Sequence, residues 1–133
     1  MKMITRDTDY AIRALGCIAQ TKERIVTVSH LQKELAMPRS FLRKILQLLT
    51  KKGLLRSAKG KGGGFSLDKN ADKITIFDVI EIFQGPLKLN KHVFKGKICP
   101  AIEACIFKKK LDIIEGNLIN EFKAITIKSL LKN

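Results

Sequence analysis

Hydrophobic residues that recur three and four positions apart predict helices in the first part of the chain. Between residues 7 and 20 this spacing predicts an amphipathic helix, and Thr5 or Asp7 can cap its start. The next such stretch is shorter. It predicts a second helix that has Thr27 as its N-cap and ends near Ala36.

A third helix is predicted from Pro38 to about Lys52. Proline suits the first helical position, because the N–H that it lacks would have no partner there, and Gly53 suits the position after the last turn. The apolar face of this helix carries Leu42, Ile45 and Leu49. Because only a tight turn separates the second helix from the third, the two together predict a helix-turn-helix.

Two short apolar segments, residues 54–58 and 64–67, flank a loop of glycine and lysine and predict a β-hairpin. A hairpin directly after a helix-turn-helix is typical of the wing of a winged-helix protein. The loop is not a Walker A nucleotide site, since that motif needs Ser or Thr after its lysine and a helix after the loop. Here Gly62 follows Lys61 and a strand follows the loop.

The second half of the chain predicts two more helices. The first runs from Thr75 to Phe83, where Thr75 and Asp78 have the spacing of a capping box. Residues 87–100 have no clear period and are predicted to be irregular. A long helix is then predicted over residues 101–124. Its apolar residues on one side are Ile106, Leu111, Ile114, Leu118 and Phe122.

The predicted fold class is therefore mainly α: a winged helix-turn-helix with one β-hairpin wing and a long C-terminal dimerisation helix. We predict a winged helix-turn-helix unit over residues 1–85 and a second unit over residues 86–133, which contains the irregular stretch and the dimerisation helix. The apolar series on the long helix predicts a homodimer. A chain of this size has few other segments that could cover the series, so a second copy of the helix is expected to do so.

Charge points to a polyanionic partner. The chain has 26 Lys and Arg against 12 Asp and Glu, and residues 1–64 carry fourteen of these basic and only four of the acidic residues. No acidic residue occurs between Glu34 and Asp68. A solvated surface usually mixes both signs, so this acid-free stretch favours a nucleic-acid interface.

The third helix is the candidate for reading double-stranded DNA in the major groove. The residues near its start are Arg39, Ser40, Phe41, Arg43 and Lys44. Arginine can donate two hydrogen bonds to guanine, and an aromatic ring can touch a thymine methyl group. A place in the core is the alternative for Phe41. Lys59 and Lys61, at the predicted wing tip, suit phosphates or a narrow minor groove.

Other classes of function are less well supported. No apolar stretch is long enough to cross a membrane and no secretory signal is evident, so we predict a cytoplasmic protein that binds no membrane. No catalytic constellation stands out, and we predict that the protein is not an enzyme. An RNA-binding protein is the alternative, but one Tyr and no Trp provide little for base stacking.

Five segments resemble the Rrf-two family of bacterial transcriptional regulators, the group of IscR, NsrR and CymR. They are DYAIRAL at residues 9–15, FLRKIL at 41–46, GLLRS at 53–57, GKGGGFSL at 60–67 and ITIFDVI at 74–80. The resemblance implies a homodimeric winged-helix protein, a repressor at a palindromic operator. A regulator controlled by docking on a partner enzyme, as in one branch of the family, is the alternative.

The resemblance also implies a sensor with cysteine ligands. Many family members hold an iron–sulfur cluster with three cysteines, and Cys99 and Cys105 resemble the last two. The first cysteine, expected near Val93 or Phe94, is absent, and His92 lies near that position. Two interpretations stay open: a cluster bound by Cys99, Cys105 and an unusual ligand such as His92, or a pair of thiols without a cluster.

Overall fold

A computed structural model describes residues 3–89, 93–94, 97–98 and 106–131. The helices are α1 (Arg6–Gln20), α2 (Val28–Leu35), α3 (Arg39–Lys51), α4 (Ile76–Gln84) and α5 (Ile106–Ala124). The strands are β1 (Leu55–Ala58), β2 (Gly64–Leu67), β3 (Val93–Phe94) and β4 (Lys97–Ile98), and short 3-10 turns cover Ala71–Lys73 and Lys128–Leu130. The predicted fold class, a mainly helical winged helix, is confirmed.

Local capping signals explain where the first helices begin. The hydroxyl of Thr5 accepts from the backbone N–H of Thr8 at the start of α1, and Thr27 does the same for His30 at the start of α2. Of the two predicted caps of α1, the structure uses Thr5. The α2–α3 turn needs one left-handed residue, Ala36, with a φ of 51°.

The start of α3 differs by one residue from the prediction. Pro38 precedes the helix as its cap residue and is not its first residue, because its ψ of 138° is extended. Its carbonyl accepts from the N–H of Leu42 at 3.0 Å and so begins the helical hydrogen-bond ladder. The predicted end is confirmed, since α3 stops at Lys51 and Gly53 has a φ of 85°.

One hydrophobic core joins the helices. Fully buried side chains that meet there are Leu15 from α1, Leu31 from α2, Leu42 and Leu46 from α3, and Val79 and Ile80 from α4. Ile127, which follows α5, is also fully buried in this core. Its N–H donates to Ile74, and the carbonyl of Ile125 accepts from Ile76, so the chain after α5 is held against the start of α4.

The hairpin of β1 and β2, which we call the wing (residues 55–67), is bound to the body of the protein. Leu55 pairs with Leu67 and Ala58 with Gly64 in an antiparallel register. Val26, just before α2, exchanges two backbone hydrogen bonds of 2.8 Å with Phe65. The wing is therefore fixed to the helix-turn-helix through β2.

The capping box predicted at Thr75 is confirmed. The Thr75 hydroxyl accepts from the N–H of Asp78, and the Asp78 carboxylate accepts from the N–H of Thr75. Residues 87–100, predicted to be irregular, contain the small antiparallel pair β3 and β4. Each of these strands has only two residues, too few for a period-two pattern to be recognised in the sequence.

The long helix α5 presents two apolar faces where the sequence predicted one. Leu111, Leu118 and Phe122 are half-buried, and Phe122 packs against the core. The side chains of Ile106 and Ile114 are exposed instead, and Phe107 and Ile113 join them on that face. Five of the residues predicted for this helix, 101–105, lie outside the described part. Within that part, no helix is long and apolar enough to span a bilayer.

Candidate DNA-binding surface

The exposed side of α3 carries the basic residues that the sequence singled out. Its buried side holds Leu42, Ile45, Leu46 and Leu49, so the other side faces solvent. Arg39, Ser40, Arg43 and Lys44 are all exposed there. No acidic residue occurs in the first turn of the helix, and long cationic side chains are thus free to approach a polyanion.

A groove separates α3 from the wing, and we call it the helix–wing groove. Its volume is about 420 Å³. The residues that line it are Thr27, Val28, Ser29, Arg39, Arg43, Gln47, Ser57, Ala58, Gly60, Gly62, Gly63, Gly64 and Phe65. Arg39 donates from its Nη1 to the Ser29 hydroxyl at 3.2 Å, so one guanidinium is held at the edge of the groove. None of these lining residues carries a carboxylate.

Phe41 lies on a different side of α3. Its ring packs edge-on against Tyr10 with centroids 5.6 Å apart, and the guanidinium of Arg6 lies 4.9 Å from the ring centroid. The side chain is half-buried against the core. The structure therefore places Phe41 at the junction of α3 with α1, apart from the residues that line the groove.

The tip of the wing combines exposed lysines with glycines. Lys59 and Lys61 are exposed, and Gly60 and Gly62 beside them have φ values of 91° and 75°. Residues other than glycine rarely adopt such positive φ values, so the tight turn depends on glycine at both positions. Arg56, at the base of the wing, forms an ion pair with Asp68 and does not line the groove.

Sequence reasoning missed several residues of this surface. Gln47 lines the groove on α3, and Ser29 and Ser57 line it from α2 and β1. Gln47 continues the series Arg39 and Arg43 at a spacing of four, which places all three on one side of a helix. The sequence therefore contains enough information to predict that Gln47 lies on the same side of α3 as the two arginines. The positions of Ser29 and Ser57 depend on how distant segments pack.

The predicted sensor residues Cys99, Cys105 and His92 lie outside the described residues. Cys17, on α1, is described and is half-buried beside His30 and Glu34. Burial raises the pKa of its thiol, and the charge of Glu34 raises it further, while a hydrogen bond with Thr21 acts in the opposite direction. In the described part of the chain, no three His, Cys, Asp or Glu side chains are arranged to hold a metal ion.

Comparisons with known proteins assign the chain to a family. The model of the Rrf2 family, described as iron-dependent transcriptional regulators, matches residues 4–133. A protein of Aquifex aeolicus, whose name places it among HTH-type transcriptional regulators, is 39% identical over 132 residues, which are 97% of this chain and 92% of that one.

Two solved structures share the fold. CymR of B. subtilis, the global cysteine regulator, superposes with a TM-score of 0.77 at 19% identity and covers 98% of this chain and 96% of its own. IscR of T. potens does so with a TM-score of 0.75 at 20% identity, over 98% of this chain and 85% of its own. The family match along nearly the whole chain, together with the 39% identical relative, shows that the protein belongs to the Rrf2 family of DNA-binding transcriptional regulators.

Proposed function

We propose that this regulator is a homodimeric repressor that occupies a palindromic operator in double-stranded DNA. The observation that carries the proposal is the helix–wing groove, where a basic recognition helix and a basic wing border one surface without a carboxylate. Dimeric proteins with two-fold symmetry bind DNA half-sites that lie about one helical turn apart, so a dimer of this chain would match a palindromic operator.

Within this proposal the two parts of the surface act differently. Residues near the start of a recognition helix reach base edges, and we assign that task to Arg43 and to the exposed Ser40 and Lys44 near it. Lys59 and Lys61, at the wing tip, neutralise phosphates. Phe41 holds α3 against α1 and contributes to DNA binding only by fixing the helix.

The exposed apolar face of α5 supports the homodimer. Ile106, Phe107 and Ile113 are each at least 64% exposed in the single chain. An exposed cluster of this kind on one helix is typical of an interface between subunits. A second copy of the same helix is the partner that we propose for it.

Arg43→Ala and Lys61→Ala test the assignment of roles. On a duplex selected by the protein from a randomised pool, Arg43→Ala should cost about 1–3 kcal/mol and relax the preference at one base position in each half-site. Lys61→Ala should weaken binding to every sequence and reduce the salt dependence by about one unit per protomer. Equal losses on selected and scrambled DNA for Arg43→Ala would show that this side chain does not read bases.

We propose further that iron or thiol redox state controls the repressor through Cys99 and Cys105. The family is described as iron-dependent, and thiolates are the usual ligands of iron–sulfur clusters. The test compares affinity for the selected duplex in reduced, oxidised and iron–sulfur-reconstituted protein, with iron and sulfide analysis. A response that disappears when both residues are replaced with Ser supports the proposal. Identical affinity in all three states, with no iron retained, overturns it.

A further inference from the structure

Two neutral hydrogen-bond donors lie on opposite walls of the helix–wing groove. Gln47 stands on α3 and Ser57 on β1, and both side chains are exposed. Among the described residues, neither side chain has a hydrogen-bond partner. Their donors are therefore available to a ligand that enters the groove.

The register of the wing places Ser57 on the groove side. Ser57 is directly opposite Phe65, and Arg56 is directly opposite Ser66, so these two pairs lie on opposite faces of the hairpin. Ser57 and Phe65 line the groove, whereas Arg56 and Ser66 do not. Asp68, the first acidic residue after the wing in the sequence, forms an ion pair with Arg56.

The position of Gln47 along α3 distinguishes it from the base-reading residues. It lies eight residues after Arg39, which is about 12 Å along the helix axis. Because the N-terminal end of a recognition helix enters the major groove most deeply, a residue two turns farther along lies nearer the rim of that groove. The phosphates of the DNA backbone form that rim.

A single sugar-phosphate backbone separates the major groove from the minor groove beside it. A protein that places α3 in one groove and its wing in the next must therefore have that backbone between them. In this chain the space between them is the helix–wing groove, and Gln47 and Ser57 offer neutral donors from its two walls.

We propose that the helix–wing groove holds the sugar-phosphate backbone of one DNA strand, and that Gln47 and Ser57 donate hydrogen bonds to its phosphates from the two walls. The inference rests on the proposed operator binding and adds the residues that position the strand. Neutral donors contact a phosphate without displacing a counterion, so they affect affinity without affecting salt dependence.

The first experiment measures binding of Gln47→Ala and Ser57→Ala to two duplexes of about 30 base pairs, long enough for two half-sites one turn apart. One duplex is selected by the wild-type protein from a randomised pool, and the other is scrambled. Each variant should bind both duplexes at least about tenfold more weakly, because a hydrogen bond to a charged group is lost in each half-site, with the salt slope unchanged.

Matched controls are available in the same chain. Gln20→Ala removes an exposed glutamine at the end of α1, and Ser66→Ala removes a serine from the other face of the wing. Both controls should bind like the wild type. If the wild type itself binds no duplex selectively, operator binding fails. If it binds but Gln47→Ala and Ser57→Ala match their controls, only the present inference is overturned.

A second experiment locates the phosphate. A series of selected duplexes is prepared, each with one uncharged methylphosphonate at a different position. At one position the modification should weaken binding of the wild type but weaken binding of Gln47→Ala much less. A changed base preference in Gln47→Ala would instead identify Gln47 as a base reader and overturn its assignment to the backbone. The assignment of Gln47 to the backbone would also be overturned if every methylphosphonate weakened binding of the wild type and of Gln47→Ala equally.

Discussion

At Gly64 the wing lies directly against the backbone of the segment before α2. A Cβ atom added there would lie 2.2 Å from the carbonyl oxygen of Val26 and 2.7 Å from its carbon. Both are backbone atoms and cannot rotate away, and Val26 is held by two hydrogen bonds to Phe65. The absence of a side chain at Gly64 thus determines how the wing attaches.

Gly64→Ala should lower the free energy of unfolding by more than about 2 kcal/mol, since relief of the clash requires the Val26–Phe65 pairing to break. Urea denaturation measures the change. Gly16→Ala is the matched control, because a Cβ at that position of α1 meets nothing within 4 Å. It should stabilise the protein by about 0.5–1 kcal/mol through helix propensity. Equal effects of the two substitutions would contradict the proposed steric role of Gly64.

Cys17 should be a slow nucleophile. Burial and the charge of Glu34 raise the pKa of its thiol, and only the thiolate reacts with alkylating agents. In a variant with Ser at positions 99 and 105, iodoacetamide at about pH 8 should modify Cys17 more slowly in the native than in the unfolded protein. The rate of modification of the native protein should continue to rise at pH values where an ordinary thiol is already fully ionised, because the pKa of Cys17 is raised. Equal rates in both states would disprove this assignment.

At the scale of elements, the side chain of Gln84 connects the end of α4 to the start of α1. Its Oε1 accepts from the N–H of Thr5 at 3.0 Å and from the hydroxyl of Thr8 at 2.7 Å. Its Nε2 donates to the carbonyl of Met3 at 2.9 Å. Thr8 is fully buried, and its hydroxyl needs partners within the protein.

Gln84→Ala should lower the free energy of unfolding by about 1–3 kcal/mol, because it leaves the N–H of Thr5 and part of the Thr8 hydroxyl without a partner. Amide hydrogen exchange should also become faster in the first turn of α1. Gln20→Ala, at an exposed position of the same helix pair, should change neither quantity. Unchanged exchange in α1 of the Gln84 variant would mean that the two helices are joined by apolar packing alone.

At the scale of the whole molecule, the two apolar faces of α5 differ in exposure. Phe122 packs against the core of the same chain and Leu118 is half-buried, whereas Ile113 and Ile114 are 64% and 54% exposed. Leu118→Asp would therefore damage the fold as well as any dimer. A substitution on the exposed face separates the two effects.

Ile113→Asp should weaken dimerisation by at least about 100-fold, since a carboxylate would enter an apolar interface, and it should leave the helical circular dichroism spectrum unchanged. Light scattering at micromolar concentration measures the mass. Asn70→Asp, in an exposed loop after the wing, adds the same single negative charge and should remain dimeric. A monomeric wild type under these conditions would refute the homodimer.

The sequence alone determined most of the helices and the chemical character of the DNA-binding surface. Caps and stops act over three or four residues, so Thr5, Thr27, Gly53 and the pair Thr75 with Asp78 can be read from neighbouring positions. The absence of acidic residues between Glu34 and Asp68 can likewise be seen in the sequence without knowledge of the fold. These features depend on backbone geometry and charge, which each short segment carries by itself.

Tertiary structure alone decided which distant residues meet. Phe41 and Arg43 are two positions apart on one helix, yet one packs on Tyr10 and the other lines the helix–wing groove. Ser57 joins that groove only because Val26 pairs with Phe65 and sets the angle of the wing. The periodicity of one helix indicates which residues are apolar, but the neighbouring elements select which face is buried. That selection depends on the packing of the whole chain.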